Sequence, residues 1–349
     1  MTIVAELFDH VVGIDTHART HTYCIICCRT GAVIDTATFP TTKPATNRAM
    51  TWITRRAPGK LLAAVEGTSS YGASVTAALV KRDIEITEVR PAARSTHAHT
   101  GKSDLIDAEA AARSVLGREE QHLARPRDPG TRTALRILLA SRSLIDQQRT
   151  ANRNALTALV RSIDLGIDAR RPLTNTQVRA IAAWRPNRSI GPDTTIIARS
   201  EAQRLAETIM DQTSLLTDNH RQLGTVANEL APGLQDQPGI GPVTAAIIIC
   251  AYSHHGRVRS EAAFAALGGI APLPASSGNT DRHRLSRAGD RQLNRAMDII
   301  VRSRMSFDPA TRNYVQRRST EGKTKREIRR CLKRYVCRSV FRQLQTCMT

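Results

Sequence analysis

Two carboxylates three residues apart, Asp104 and Asp107, open an alanine-rich run over residues 104–113. At helical pitch they project from one face, about one turn apart. Like charges so close repel, and a divalent cation removes the repulsion. A hard cation such as Mg²⁺ takes oxygen ligands, usually one or two carboxylates with phosphate and water. The plainer alternative is an acidic first turn that complements the helix dipole, with Ser103 as N-cap. Upstream acids shift the balance. Asp15 and Glu66 each end a short apolar run, residues 11–15 and 61–66. Carboxylates drawn from separate stretches are what a phosphoryl-transfer metal site requires, where cations stabilise the attacking and leaving oxygens.

A second group of residues could also do chemistry. Ser276 and Ser277 sit in a Gly/Pro-rich loop that runs into Arg282, Arg284, Arg287 and Arg291. A serine hydroxyl among guanidinium groups could attack a phosphodiester while the cations stabilise the developing charge. Serines that only donate hydrogen bonds to a bound phosphate are the alternative, and the residues alone favour it. Gly239 and Gly241, in Gln237-Pro238-Gly239-Ile240-Gly241-Pro242, allow a tight turn before a helix. This matches a helix-hairpin-helix element whose backbone N–H groups face a phosphate, or a plain helix–helix turn. Cys24 and Cys27 have CxxC spacing but lie in a strand-like run without a second ligand pair. Free thiols in a reducing compartment account for them better than zinc.

The elements that must position these groups follow from pattern. Residues 11–15, 21–29 and 33–39 read as strands joined by short turns, so antiparallel neighbours are expected. Residues 44–56 read as a helix, 61–66 as a buried strand, 71–81 as a helix and 84–89 as a strand, before the helix of Asp104 and Asp107. This β-β-β-α-β-α-β-α order resembles the ribonuclease H-like (RuvC-like) fold. In that fold the first and fourth strands lie side by side, which would bring Asp15 and Glu66 to the last helix. Beyond a Pro/Arg-rich linker at 125–129, the chain reads as mainly helical. Ala202, Leu205, Ile209, Gln212, Leu216, Asn219, Leu223, Val226 and Leu230 repeat with 3-4 spacing, a coiled-coil seam with two polar insertions. Either a dimerising arm or an intramolecular bundle face would produce it. The expected domains are 1–125 (α/β, catalytic), 126–232 (helical, dimerising) and 233–349 (mainly α, with the serine loop and a basic tail).

The 349 residues carry 51 Lys+Arg against 31 Asp+Glu, a formal charge of +20. Residues 281–349 hold 19 Lys/Arg and 6 Asp/Glu, so most of that excess is C-terminal, including Lys323, Lys325 and Arg326. Such an excess points to a polyanion, usually nucleic acid. Aromatics are only 3%, so phosphate contact should dominate over base stacking. With no long apolar run and no leader at its start, the chain is expected to be soluble and cytoplasmic, without a membrane partner.

The motifs together resemble the DEDD transposases of the insertion-sequence one-ten group, related to Piv-type DNA invertases. The N-terminal resemblance lies in Gly13-Ile14-Asp15-Thr16-His17, Val65-Glu66-Gly67-Thr68 and Lys102 to Ala108. The C-terminal one lies in Pro238 to Pro242, Gly268-Gly269-Ile270-Ala271-Pro272, Ser276-Ser277-Gly278 and Gly289-Asp290-Arg291-Gln292-Leu293-Asn294. The resemblance implies a recombinase that moves its own element, with Asp15, Glu66, Asp104 and Asp107 holding Mg²⁺. It also implies a covalent phosphoserine–DNA intermediate, on Ser277 or alternatively Ser276. Further implications are donor and target DNA, a structured bridge RNA as guide, a homodimer or homotetramer, and a nucleoid-associated prokaryotic setting. Position 17 is His, where DEDD exonucleases usually carry the Glu of Asp-x-Glu, which argues against an exonuclease. A junction resolvase using water, or a non-catalytic nucleic-acid-binding protein, are the rival readings.

Overall fold

The computed structural model describes residues 2–90, 103–127, 130–185, 193–274, 283–284, 286 and 289–348. They divide into two compact units, Met1–Pro129 and Gly130–Thr349.

The first unit is a five-stranded sheet between helices. After a short helix α1 (Val4–Leu7), its strands are β1 (His10–Thr16), β2 (Thr20–Cys27), β3 (Val33–Pro40), β4 (Leu61–Glu66) and β5 (Glu85–Val89), in the order β3-β2-β1-β4-β5. β1 pairs antiparallel with β2, and β2 with β3; the short connections permit only this. β4 pairs parallel with β1 and with β5, the crossovers running through α2 (Lys43–Arg56) and α3 (Ala73–Val80). The element order is the one predicted, with α1 added. Four residues leave no periodic signal in a sequence.

Strand alternation sorts the sheet into two faces. Val12, Ile14, Tyr23, Ile25, Ala63 and Val65 pack in one apolar layer with Ala49, Met50 and Ile53 of α2 and Val75 and Leu79 of α3. Val11, Cys24, Ile26, Leu62 and Ala64 form the other layer with Ala108, Ala111, Ala112 and Val115 of α4 (Asp104–Leu116). Cover on both faces explains why β1 and β4 read as unbroken apolar runs rather than alternating ones. Alternation also disposes of the CxxC pair. Three residues apart on β2, Cys24 and Cys27 project to opposite faces, and both thiols are free.

The second unit is mainly helical: α5 (Arg132–Ser162), α6 (Asn175–Ala182), α7 (Asp193–Leu230), α8 (Pro242–Tyr252), α9 (Glu261–Leu267), α10 (Arg291–Phe307), α11 (Pro309–Thr320) and α12 (Lys325–Cys347). Two-residue strands β6 (Leu273–Pro274) and β7 (His283–Arg284) pair antiparallel. The buried stripe of α7 is Ala202, Ala206, Ile209, Gln212, Leu216, Asn219, Leu223 and Ala227. It departs from the sequence pattern where Ala206 and Ala227 replace Leu205 and Val226, the drift of a 3.6-residue helix away from a 3.5-residue repeat. This stripe is covered by helices of the same chain, chiefly α5, with α6 and α8 packing toward its two ends. Asn152 Nδ2 donates to Gln212 Oε1 at 3.2 Å, and Asn219 Nδ2 to the Leu138 carbonyl at 2.9 Å. The polar insertions therefore set the register of α5 against α7.

The basic C-terminal stretch is a folded element rather than a loose tail. Ile328, Leu332, Val336, Cys337, Val340, Phe341 and Leu344 bury one face of α12, and Phe341 joins an aromatic cluster with Tyr252 and Phe264. Arg329 and Lys333 pair with Asp298, and Arg334 and Arg338 with Glu261. Four cations of the C-terminal excess are thus engaged inside the unit.

Candidate metal centre at the ends of β1 and β4

Gly13 decides how the site is assembled. A Cβ there would stand 2.0 Å from the Ala108 carbonyl oxygen and 2.6 Å from the Ala112 backbone nitrogen. Only glycine lets α4 lie directly on β1, and the alanines of α4 supply the matching small surface. Gly13 and Asp15 are two residues apart on β1, so both project toward α4. The same alternation puts Leu62, Ala64 and Glu66 of β4 on that side, and Leu62 and Ala64 pack in the layer with Ala108. Ile14 is the partner of Val65, so Asp15 and Glu66 end neighbouring parallel strands at one level. Thr16 Oγ1 donates to the Glu66 carbonyl at 2.9 Å and ties these ends together.

The first turn of α4 supplies the remaining acids. Ser103 Oγ accepts from the Ile106 N–H at 3.3 Å, so the N-cap role is real, and it coexists with the acidic pair. At the other end, Arg113 donates to the Gly31 carbonyl at 3.0 Å and to Glu109, holding α4 to the β2–β3 turn. Asp104 is exposed and Asp107 half-buried.

Asp15 is 5% exposed, and His17 Nε2 stands 3.0 Å from its Oδ2 and 3.5 Å from Asp104 Oδ1. The His17 nitrogen stands close to Oδ2 without the alignment of a hydrogen bond, and among the described residues no donor is aligned on that buried oxygen. Burial raises the Asp15 pKa above its ordinary 3.8; His17 opposes this, and the negative charges of Asp104 and Asp107 reinforce it. Among the described residues, ligand atoms of Asp15, His17 and Asp104 lie within 4.8 Å of one another, close enough to share an ion. The expected acids Glu66 and Asp107 belong to the same end of the sheet but outside that tight group.

Sequence reasoning weighed His17 only as a departure from an exonuclease motif. The available signal was its spacing, since Asp15-x-His17 places both residues on one side of an extended strand end.

The second group of expected residues divides differently. Ser276, Ser277, Arg282 and Arg287 lie outside the described residues, and Arg284 is described in its backbone alone. The β6–β7 pair brackets the serine segment, with Pro274 opposite His283. Its base is built from the glycine motifs. A Cβ on Gly289 would lie 2.2 Å from the Gly269 nitrogen, and Asn294 Nδ2 donates to the Gly268 carbonyl at 2.7 Å. Asp290 caps α10 by accepting from the Gln292 and Leu293 N–H groups, and Arg291 follows as an exposed first helical residue.

Gly239 and Gly241 have packing and capping roles. Gly239 has φ +79° and approaches α10 so closely that a Cβ would stand 3.0 Å from the Ile300 carbonyl oxygen. The Gly241 N–H donates to Thr244 Oγ1 at 3.0 Å, inside the cap of α8. Lys323, Lys325 and Arg326 are exposed around the start of α12.

Two stretches of the chain match known transposase families. Residues 12–164 match the DEDD transposase family profile of the IS110 type, described as a transposase, and residues 231–316 match the profile described as the transposase IS116/IS110/IS902 family. One relative is the insertion element IS110 uncharacterized 43.6 kDa protein of Streptomyces coelicolor, 36% identical over 99 residues. That match covers 28% of this chain and 24% of the relative, so the chain spans about a quarter of the curated relative's length. No described helix is long and apolar enough to cross a membrane. With both profiles falling on the stretches that carry the acids and the glycine motifs, the chain belongs to the IS110 family of DEDD transposases.

Proposed function

We propose that this protein is a transposase that cuts and rejoins DNA of a mobile insertion sequence through a divalent-metal site and a serine nucleophile. The observation that carries the metal half is the buried Asp15 Oδ2, on which no donor among the described residues is aligned, in a group that converges with Asp104. A buried carboxylate that stays ionised is stabilised by a positive partner. Asp15, Glu66, Asp104 and Asp107 are the residues that would hold the cation, Mg²⁺ being the ion their oxygens suit. When bound, it would neutralise non-bridging phosphate oxygens and favour attack on phosphorus. The strand order, with β1 beside β4, supports a ribonuclease H-like reading of the first unit.

The serine half rests on family membership and on the segment between β6 and β7. Ser277, or Ser276 in its place, attacks a phosphodiester: a bond forms between Oγ and phosphorus, and the bond from phosphorus to one strand end breaks. The departing oxygen takes up a proton, balancing the one the serine hydroxyl loses. The strand is held as a phosphoserine ester, which conserves the phosphodiester energy for rejoining without ATP. Arg282, Arg284, Arg287 and Arg291 would neutralise the phosphate. Lys323, Lys325 and Arg326, with the Gly239–Gly241 turn, would follow the backbone of DNA or of a bridge RNA that supplies target choice. Joining two half-sites calls for a homodimer or homotetramer.

The test is a labelled donor DNA with divalent cation and RNA transcribed from the element's flanking DNA. After denaturation, label should stay attached to wild-type protein and be absent with Ser277→Ala or Asp104→Ala. Cleavage without an adduct would assign the nucleophile to water and the protein to the resolvase class. Binding without any cleavage would leave a nucleic-acid-binding protein.

A further inference from the structure

The carboxylates predict an all-oxygen site, yet the group that converges around Asp15 contains a nitrogen. We propose that His17 Nε2 is a direct ligand of the bound cation, making this a mixed nitrogen–oxygen site that takes Mn²⁺ in preference to Mg²⁺. This rests on the metal-site reading above and adds to it the identity of a ligand and the selectivity that follows.

Three observations carry the assignment. In an octahedron with metal–ligand bonds of about 2.1 Å, adjacent donor atoms lie about 3.0 Å apart and opposite ones about 4.2 Å. His17 Nε2 is 3.0 Å from Asp15 Oδ2, the spacing of adjacent ligands around one ion, and 3.5 Å from Asp104 Oδ1, between the adjacent and opposite spacings. Next, the Asp15 carboxylate is nearly all buried and, among the described residues, no hydrogen-bond donor is aligned on its Oδ2, although an imidazole nitrogen stands beside it. An imidazole serving only as a hydrogen-bond partner would point its N–H along the line to that oxygen. A cation seated between this nitrogen and the carboxylate oxygens of Asp15 and Asp104 would use all three as ligands instead. Finally, the His17 side chain is 48% exposed and that of Asp104 52%, so the group is open to solvent and to a phosphate, while Asp15 forms its floor.

Selectivity follows from the donor set. Carboxylates serve Mg²⁺ and Mn²⁺ alike, whereas imidazole is a good ligand for transition metals and a poor one for Mg²⁺. A site that needs Nε2 to complete its coordination therefore discriminates between two ions of similar charge and size. Half-exposed His17 contributes little to the core, so its replacement tests ligation without endangering the fold.

The experiment uses the full-length protein titrated with Mn²⁺, with free ion followed by electron paramagnetic resonance. Bound ion is examined by electron spin-echo envelope modulation for the ¹⁴N signature of coordinated imidazole, and Mg²⁺ is measured by competition. Wild type should show that signature. His17→Ala should lose it and weaken Mn²⁺ on the order of 10–100-fold, the scale on which changes around metal ligands act, with Mg²⁺ weakened less. Asp104→Asn should weaken both ions. Mn²⁺ binding that responds to Asp104→Asn but shows no ¹⁴N modulation, or modulation that survives in His17→Ala, overturns the histidine assignment and leaves the carboxylate site standing. Mn²⁺ binding indifferent to Asp15→Asn and Asp104→Asn overturns the metal-site reading itself, and the histidine assignment with it.

Discussion

Asp15 in β1 and Asn219 in α7 are both buried polar side chains, 5% and 6% exposed, and they have opposite fates. Asn219 is occupied at both ends: its Nδ2 donates to the Leu138 carbonyl at 2.9 Å and its Oδ1 accepts from Arg142 at 3.5 Å. Asp15 keeps a buried oxygen on which no donor among the described residues is aligned, and two further carboxylates raise the cost of its charge. Burying a polar group is tolerable when its hydrogen bonds are remade inside, and expensive otherwise. The satisfied amide specifies the register of α5 against α7. The carboxylate on which no described donor is aligned suits a cation instead. Burial alone therefore says nothing of function; the state of the lone pairs does.

The largest effect that can break this contrast is catalytic. Asp15→Asn or Asp104→Asn should lower metal-dependent strand cleavage by about 10³-fold, the scale of losing one charge-stabilising group in a transition state. Asp15→Asn should not cost stability. A carboxyl whose pKa is raised on folding stabilises the fold while protonated. That contribution is complete below the ordinary value of 3.8 and is lost as pH rises through the raised folded value. In EDTA, above that raised value, the ionised Asp15 is thus a liability, and at pH 7 Asp15→Asn should melt no lower than wild type, with any gap closing as the pH falls below 4. A divalent cation should raise the wild-type Tm at pH 7 and leave Asp15→Asn nearly unmoved. A lower Tm for Asp15→Asn at pH 7 in EDTA would mean that the carboxylate is structural after all.

Gly13→Val comes next. Its side chain would occupy the space of the Ala108 carbonyl and Ala112, so α4 must lift from β1. Overpacking of this kind costs about 1–3 kcal/mol and occasionally more. Chemical denaturation should show the loss, and Mn²⁺ affinity should fall with it because Asp104 moves away from Asp15. Unchanged affinity in a destabilised Gly13→Val protein would detach the site from the α4–β1 contact.

Asn219→Ala is the counterpart in the second unit. It leaves the Leu138 carbonyl without this donor and removes a partner of Arg142, at a cost of about 1–3 kcal/mol. Cleavage by the folded protein should be unaffected. A loss for Asn219→Ala and none for Asp15→Asn in one denaturation series is what the contrast requires.

The legible part of this molecule follows from how local its causes are. Strands β1 and β4 are covered on both faces, so each reads as an apolar run, and an acid at its end marks where cover stops. That made Asp15 and Glu66 visible without coordinates. Ser103, Asp104 and Asp107 announce the start of α4 through capping chemistry confined to one turn. His17 was not legible as a member of the site, because its relation to Asp104 spans nearly ninety residues and depends on how closely α4 approaches. The permission for that approach is Gly13, whose significance appears only once Ala108 and Ala112 are seen against it. The 3-4 repeat of α7 showed a buried stripe but not its occupant, since a helix of the same chain and one of a second copy demand the same pattern. The C-terminal charge was similarly ambiguous: sums over a sequence do not show that Asp298 and Glu261 engage four of the cations.

Cysteine reactivity gives the smallest effect and sharpens the contrast within the first unit. Cys24 belongs to the same packed layer beneath α4 as the strand face that carries Asp15. Burial pushes its thiol up to about 11, with the negative charge of Glu109 adding to the rise; Cys28 is likewise pushed up to about 11 by burial. At pH 8 only about one part in a thousand of such a thiol is thiolate, so alkylation should be slow. Cys27, half-buried at the end of β2, is shifted the other way by hydrogen bonds from Thr30 and should react first. Counting labelled sites by mass spectrometry over time at pH 8 should therefore give Cys27 ahead of Cys24 and Cys28, and the order should not change when EDTA replaces Mn²⁺. A neutral thiol buried in apolar surroundings makes no demand on a ligand, whereas an ionised carboxylate on the same face does. If Mn²⁺ slowed Cys24 or Cys28 labelling markedly, the apolar layer under α4 would be coupled to the cation, and the difference between these neighbours would be one of dynamics rather than of charge.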